Sequence, residues 1–251
     1  MYQSVTAPSR LLLWVYTNPA RGVRKRDTAY YKWHEAELLP ALLDMPPSLF
    51  LSCSRWAAAD GAARAYLSLY DLSARRSAAH DPAYVALSEK HALETPRAAA
   101  FVVESRVYEP VVAPAPLPPR PWHERNGSGT DESDGDGDDG RAPRTRYITV
   151  IEAELHTFAE GEFCRWYDEE HIPLLARVPG WVRSRRYVLQ GKLGDPDSSD
   201  RPPKFLAIHE WASLDALETK QYMRATNTPW RTEVLKEGRV LRYEIRVFRA
   251  A

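Results

Sequence analysis

Cysteine is scarce in this chain, with only Cys53 and Cys164 among 251 residues. Two cysteines cannot build a disulfide framework, and neither lies in a C-x-x-C or Cys/His spacing typical of zinc sites. This usage fits a reducing, cytoplasmic compartment. Ser-His-Asp and Cys-His triads and phosphate-binding loops are not evident either. We therefore expect no metal and no cofactor.

Net charge and long apolar runs are also lacking. The 34 Lys and Arg residues balance 34 Asp and Glu residues, so the chain has no long-range field to hold nucleic acid or an acidic membrane surface. The apolar run at residues 11–16 is too short for a membrane span and lacks the features of a signal peptide. A small neutral or weakly charged molecule is the favoured ligand class.

Proline, glycine and acidic residues are concentrated at residues 110–145. A proline-rich stretch runs into HERNGSGTDESDGDGDDG, which has almost no apolar side chain to bury. Stiff polyproline geometry followed by a solvated acidic run predicts a disordered linker. A spacer is the simpler interpretation, and a docking tail is the alternative. The predicted units are residues 1–109, the linker at 110–145, and residues 146–251.

The two flanking units resemble each other. Residues 30–40 (YYKWHEAELLP) align without a gap on residues 163–173 (FCRWYDEEHIP), with Trp, Glu and Pro in step. The same offset places residues 94–97 on residues 227–230. A repeat in register over this distance indicates that the halves are copies of one unit.

Each half shows the order β-α-β-β-α-β, which is the ferredoxin-like unit. Such a sheet carries helices on one face, and the other copy is the economical cover for its bare face. We predict an α+β fold of two ferredoxin-like repeats forming an intramolecular, pseudo-dimeric α/β barrel, present as a monomer or a homodimer. The predicted strands are residues 11–18, 50–56, 65–72, 101–108, 147–156, 181–189, 205–211 and 240–248; the second helices are residues 82–93 and 214–224, and residues 191–203 form a loop.

The first helix of the second half carries the strongest chemical pattern. At about 100° per residue, Tyr167 and Glu170 share one stripe, with Trp166 on one side and His171 on the other. The first half has Leu38 in place of the histidine. Pro173 should end or kink the helix near His171 and leave the imidazole close to a cleft.

Glu170 admits two interpretations. A carboxylate that recurs in both halves fits a structural role, paired with an arginine or a backbone donor. Alternatively, its apolar surroundings raise its pKa and suit it to general acid or base chemistry.

Further proton-transfer groups lie on strands. His209 shares a face with Trp211, and Tyr70 occupies the matching strand of the first half. Glu152 and Glu154 follow period two on another strand. These two carboxylates either pair with arginines at 242 and 246 or at 183 and 185, or line a polar pocket.

The string FCRWYDEEHIPLL at residues 163–175, with VPG at 178–180 and Arg186-Tyr187 on the next strand, resembles the EthD-like branch of the dimeric α/β-barrel superfamily. The resemblance implies a cavity between sheet and helices that holds a small hydrophobic or phenolic metabolite. It assigns the family's helix histidine to His171 only. Relatives include polyketide cyclases, lactone isomerases, cofactor-free monooxygenases and haem-dependent peroxidases, so the fold alone does not fix the reaction.

The first functional hypothesis is a cofactor-independent acid/base enzyme, a cyclase, isomerase, dehydratase or decarboxylase of a small aromatic or polyketide-like metabolite. The alternatives are a non-catalytic carrier and an oxygenase or haem enzyme of the same superfamily. The predicted catalytic residues are His171 as base, Tyr167 or His209 as acid, and Glu170; the predicted substrate contacts are Trp166, Glu154, Tyr187, Trp211 and Tyr70.

Overall fold

A computed structural model describes residues 11–19, 50–60, 66–73, 101–111, 145–193 and 201–251, and the single positions 36, 40 and 82. The helices predicted near residues 30–40 and 82–93, and nearly all of the predicted linker, lie outside these residues. The fold is therefore described from all eight strands and the helices of the second half.

All eight predicted strands are confirmed. They are β1 (Leu11–Pro19), β2 (Phe50–Ala58), β3 (Tyr66–Leu72), β4 (Phe101–Pro110), β5 (Tyr147–Leu155), β6 (Trp181–Leu193), β7 (Phe205–Trp211) and β8 (Val240–Ala250). β6 includes the first three residues of the loop predicted at 191–203. β4 includes Pro110, the first residue of the predicted linker.

The strands form one closed, antiparallel barrel in the order β1-β3-β2-β8-β5-β7-β6-β4. In each half the fourth strand pairs with the first, the first with the third and the third with the second. Two seams, β2 with β8 and β4 with β6, join the halves through backbone hydrogen bonds. The two sheets therefore share their edges as well as covering each other's inner face, which leaves no strand edge unpaired.

Side chains alternate between the inside of the barrel and its outer face. On β5, Ile148 and Val150 belong to an inner apolar cluster that also contains Trp14 of β1 and Leu67 of β3. The neighbouring Ile151 packs outward, in a cluster with residues of the helices. The barrel thus has an inner core built by both halves and a separate outer layer in the second half.

The inner core contains a buried ion pair between the halves. Arg106 of β4 is 1% exposed, and its Nη1 contacts the carboxylate of Glu152 of β5, which is 0% exposed. The Nε of Arg106 also donates to Glu104 at 2.7 Å. The sequence-based pairing of Glu152 with arginines of the second half was wrong, because barrel closure brings β4 across the interior.

The arginines proposed as partners of Glu152 have other carboxylates. Arg246 pairs with Asp60 of the first half, with Nε 2.6 Å from Oδ2. Arg183 and Arg185 contact Oε1 of Glu210 at 2.9 and 3.0 Å. These carboxylates come from neighbouring strands or from the other half.

The outer layer of the second half is built by short helices. They are α1 (Thr157–Trp166), a π-helical turn (Tyr167–His171), α2 (Ile172–Leu175), a 3-10 helix (Leu214–Glu218), α3 (Lys220–Ala225) and α4 (Pro229–Val234). The single helix predicted at 214–224 is therefore wrong. Thr219 and Thr228 accept hydrogen bonds at 3.1 Å from the backbone N–H groups of Tyr222 and Arg231, so each caps a new helix.

Candidate functional site

The helical segment does not end at His171 but continues through Pro173 to Leu175. Proline cannot donate the backbone hydrogen bond of a regular helix. The chain passes this position with a π-helical turn, in which the N–H of Ile172 donates to the carbonyl of Tyr167. Such turns are frequent at functional sites. The turn directs His171 into the layer between helix and sheet, where its residue is 6% exposed.

The structure brings His171 and His209 together. Their ring centroids are 5.6 Å apart, in an edge-to-face arrangement at 76°. His209 projects from the outer face of β7 and is 2% exposed. The sequence predicted both residues for one site, and the structure shows that a helix and a strand deliver them to the same buried position.

A backbone carbonyl fixes the tautomer of His171. Nδ1 lies 3.2 Å from the carbonyl oxygen of Ala225. Because a carbonyl only accepts, Nδ1 carries the proton, and Nε2 holds a basic lone pair. His171 is thereby set up as a proton acceptor.

A hydrogen-bond chain favours the opposite tautomer of His209. The indole Nε1 of Trp181 donates to Oγ of Ser184 at 3.1 Å, and this Oγ lies 2.7 Å from Nδ1 of His209. With the indole N–H already bound, Ser184 has its own hydrogen to donate to Nδ1, which leaves the proton of the ring on Nε2. Nε2 of His209 is buried and has no partner among the described residues. In this tautomer the Nε2–H group of His209 is a hydrogen-bond donor that has no acceptor among the described residues.

Burial keeps both imidazoles neutral near pH 7. It lowers the pKa of His171 to about 4, against the hydrogen bond to Ala225 and with a further lowering by the charge of Arg231. Burial also lowers the pKa of His209 well below its ordinary value, and His171 and Arg186 lower it further. A neutral imidazole can accept a proton at one nitrogen and donate a hydrogen bond from the other.

Aromatic rings surround the histidine pair. Trp166 stacks on His171 with centroids 4.5 Å apart, and Tyr167 lies edge-on to His171 at 5.1 Å and parallel to His209 at 6.2 Å. Burial raises the pKa of Tyr167 well above 10, and its hydroxyl has no partner among the described residues. Tyr167 and Trp166 therefore provide the apolar walls that desolvate the imidazoles.

Glu170 is half-buried and bound to side chains of the helices. Its Oε1 accepts from Nε1 of Trp166 at 3.1 Å and from the hydroxyl of Thr228. These partners differ from the arginine or backbone donor expected from the sequence. Through them Glu170 connects the π-helical turn with the cap of α4.

The histidines line a small cavity of about 30 Å³. This volume holds one or two water-sized molecules. Among the described residues of its wall, Arg231 of α4 is the one that carries a charge near pH 7. The other lining residues are Thr149, Ile151, His171, Leu175, His209, Tyr222, Thr226, Tyr243 and Ile245.

None of the four remaining predicted substrate contacts is among the described residues that line this cavity. Trp211 is on the same outer face, where its Nε1 donates to Thr149 at 3.0 Å. Tyr187 packs in the inner cluster, and Glu154 accepts from the backbone of Lys204 at 2.7 Å. Tyr70 lies on β3, four places from β7 around the barrel, beside Phe50 at 5.8 Å. Strand alternation and barrel position thus separate Tyr187, Glu154 and Tyr70 from the histidines.

Three site residues were missed by sequence reasoning. Ser184 and Trp181 orient His209, and Arg231 supplies the charge in the cavity wall. Ser184 is at period two from Arg186 and therefore on the same face of β6, which is a usable signal. Arg231 lies two residues after Pro229, in the first turn of the helix that the Thr228-Pro229 pair begins.

The ligand set and the volume of the site limit which metal ions and cofactors it can hold. Among the described residues, no group of three His, Cys, Asp or Glu side chains could hold a metal ion. The cavity of about 30 Å³ is smaller than the pockets of about 300–1,000 Å³ that hold drug-sized ligands, so any larger ligand requires its wall to move. In the same residues, no helix has the length and apolar character needed to cross a membrane.

Comparison with known proteins supports the fold. No protein-family model and no curated protein matches the chain. Among solved structures, it is similar to a mutant chlorite dismutase from Candidatus Nitrospira defluvii, at 11% identity and a TM-score of 0.55, with 98% of this chain and 93% of that chain covered.

A second similar structure is an anthrone oxidase-like protein, at 10% identity and a TM-score of 0.52, with 98% of this chain and 92% of that chain covered. These neighbours belong to the dimeric α/β-barrel superfamily. Likeness at such identities shows the fold alone, and it confirms the predicted α+β barrel at that level.

Proposed function

We propose that this chain is a cofactor-independent acid/base enzyme acting on a small hydrophobic, aromatic or polyketide-like metabolite. The observation that carries the proposal is the buried pair of neutral imidazoles with opposite tautomers. His171 presents a lone pair and His209 presents a buried N–H without a partner. An unpaired buried donor is costly to keep in a fold, so a substrate oxygen is the natural partner for it.

The proposed step is the enolisation of a carbonyl compound. Nε2 of His171 takes a proton from the carbon next to the carbonyl, and the electron pair of that C–H bond forms the new C=C bond. The carbonyl π electrons move to oxygen, which accepts a hydrogen bond from Nε2–H of His209. Return of the proton to another carbon gives isomerisation, and its transfer to a departing hydroxyl gives dehydration. No oxidant is consumed.

We further propose that the halves are copies joined as a pseudo-dimer, in the EthD-like branch of the superfamily. The same strand order in both halves and the two matching seams support the duplication. The motif at residues 163–175 supports the branch. Because Leu38 replaces the histidine in the first half, the working site belongs to the second half.

The cavity as it stands admits only part of a metabolite. Tyr222, Thr226 and Arg231 of its wall belong to or follow helices of six residues each. Short helices with few packing contacts are the elements that move at low cost. In the proposal, α3 and α4 shift outward when the substrate enters.

The test is deuterium exchange, which detects enolisation whatever the final product. Phenolic and polyketide-like carbonyl compounds are incubated with the protein in D₂O, and the incorporated deuterium is measured by mass spectrometry. The exchange rate should fall by about 10²- to 10⁴-fold in His171→Gln and in His209→Asn. The exposed His156 provides the matched control, and His156→Gln should exchange at the wild-type rate.

Melting curves establish that each variant is folded. Exchange that survives in both histidine variants would refute the proposed base and acid. Saturable binding without any exchange would indicate the carrier function instead.

A further inference from the structure

Arg231 is a cation without a carboxylate partner in the wall of the histidine cavity. Among the described residues, carboxylates form ion pairs with Arg183, Arg186, Arg239 and Arg246. None of the ion pairs of these residues includes Arg231. Arg186, whose Cζ lies 5.4 Å from the ring centroid of Tyr167, illustrates the contrast, because it contacts Asp168. The guanidinium of Arg231 is instead hydrogen-bonded to the side chain of Tyr243, a neutral partner that leaves its charge uncompensated.

The surroundings of Arg231 are those of a binding group. No carboxylate is among the described residues that line the cavity, where Arg231 contributes a positive charge. Its charge lowers the pKa of His171. It also lowers the pKa values of the Tyr222 and Tyr243 phenols, which burial raises. The hydroxyl groups of Tyr222 and Tyr243 add neutral polar groups to the same wall, whereas the hydroxyl of Thr226 donates to the carbonyl of Tyr222 at 2.9 Å.

A second observation points to a ligand at this place. Nε2 of His209 is buried, lines the same cavity and has no partner among the described residues. The described wall of the cavity thus combines a cation that has no carboxylate partner with a histidine whose buried Nε2 has no partner. An anionic ligand with a second oxygen would satisfy both groups.

We propose that the substrate is a carboxylate, held by the guanidinium of Arg231, with its reacting carbonyl group directed at the two histidines. The planar guanidinium matches a carboxylate in a bidentate pair, and this pairing is stronger than a bond between neutral groups. This inference rests on the proposed function, since it assigns the substrate class of the same site. The carboxylate group anchors the molecule, and the acid/base step takes place at the carbon that the anchor positions.

The test uses three molecules of nearly equal shape and different charge, namely benzoate, benzamide and benzamidine. Binding is followed by NMR of the histidine imidazoles, with the His171 and His209 signals assigned from their variants. Benzoate should shift both signals saturably, whereas benzamide and benzamidine should leave them unchanged. Inorganic phosphate serves as the probe for any anion and should bind more weakly than benzoate.

Variants locate the binding group. Arg231→Gln should weaken benzoate binding by about tenfold or more, as expected for a charge-assisted hydrogen bond. Arg231→Lys should restore part of the affinity, because the charge remains and the planar fork is lost. The exposed Arg224 on the neighbouring α3 is the matched control, and Arg224→Gln should bind benzoate like the wild type.

Two results would overturn the inference. One is benzamide binding as tightly as benzoate, or no saturable benzoate binding at all. The other is equal affinity in Arg231→Gln and Arg224→Gln. Either result together with histidine-dependent deuterium exchange would remove the carboxylate anchor and leave the proposed function standing. Arg231-dependent benzoate binding in a protein that exchanges no deuterium would keep the carboxylate anchor and remove the proposed acid/base function.

Discussion

The inside of the barrel and the outer layer of the second half both bury polar side chains, and each keeps an N–H group without a partner among the described residues, such as Nε1 of Trp14 inside, but their charged side chains differ in pairing. Inside, Arg106 and Glu152 form an ion pair between the two halves, and Glu104 adds a second carboxylate. In the outer layer, His209 keeps an unpaired nitrogen and Arg231 has no carboxylate among the described residues. Paired polar groups in a core specify how the halves meet. Unpaired ones beside a cavity indicate a binding or catalytic site.

Breaking the inner pair should give the largest effect on stability. Glu152→Gln leaves the buried guanidinium of Arg106 without its main countercharge, and such a change costs about 3–5 kcal/mol of unfolding free energy. Urea denaturation measures this loss. The double variant Arg106→Met, Glu152→Leu replaces both charges by apolar groups and should recover most of it. A loss below about 1 kcal/mol in Glu152→Gln would show that the pair is not structural.

Acid should weaken the outer layer. The pKa of His171 is about 4 in the fold and 6.5 as its ordinary value, so between these values the unfolded chain binds a proton that the folded chain does not. Stability attributable to neutral His171 is therefore complete above pH 6.5 and is lost as the pH falls toward 4, by on the order of 3 kcal/mol.

Unfolding free energies measured between pH 7 and 4.5 test this linkage. His171→Gln should have a flatter pH profile than the wild type, because the titrating group is gone. His156→Gln, at an exposed position, should retain the wild-type slope. Parallel slopes in all three proteins would mean that His171 is not buried neutral.

The smallest change in stability, with a clear change in activity, is expected from Ser184→Ala. It removes the hydroxyl that binds Nδ1 of His209 and should cost about 1 kcal/mol. The first half offers a matched control, since Nε1 of Trp56 donates to Ser54 at 3.0 Å. Ser54→Ala and Ser184→Ala each lose a tryptophan–serine hydrogen bond. Only Ser184→Ala should slow deuterium exchange, by about tenfold or more. Equal exchange rates in the two variants would refute the role of Ser184 in orienting His209.

The strands were predictable from the sequence because their signals are local. Alternating apolar residues marked all eight, and β7 (Phe205–Trp211) was predicted with its observed bounds. The helices of the outer layer were less predictable. Apolar spacing suggested one helix at 214–224, but the cap at Thr219 competes with helix continuation and divides the segment, and Thr228 caps a further helix beyond it.

The histidines were found from the sequence, but their partners were not. His171 stood out because Leu38 replaces it in the other half, and His209 because it lies on a strand face with apolar neighbours. Ser184, Ala225 and Arg231 are 13, 54 and 60 residues from His171 along the chain. No local pattern connects residues at such distances.

The sequence by itself determined the eight strands, their order along the chain and the faces on which side chains alternate, since these follow from local spacing and turn chemistry. Tertiary structure alone decided that Arg106 meets Glu152, that Tyr70 and His209 are on opposite strands, and that two imidazoles share a cavity with Arg231. The physical reason is barrel closure. Strand pairing at the two seams fixes which distant residues meet, and only burial in that closed form makes the histidines neutral.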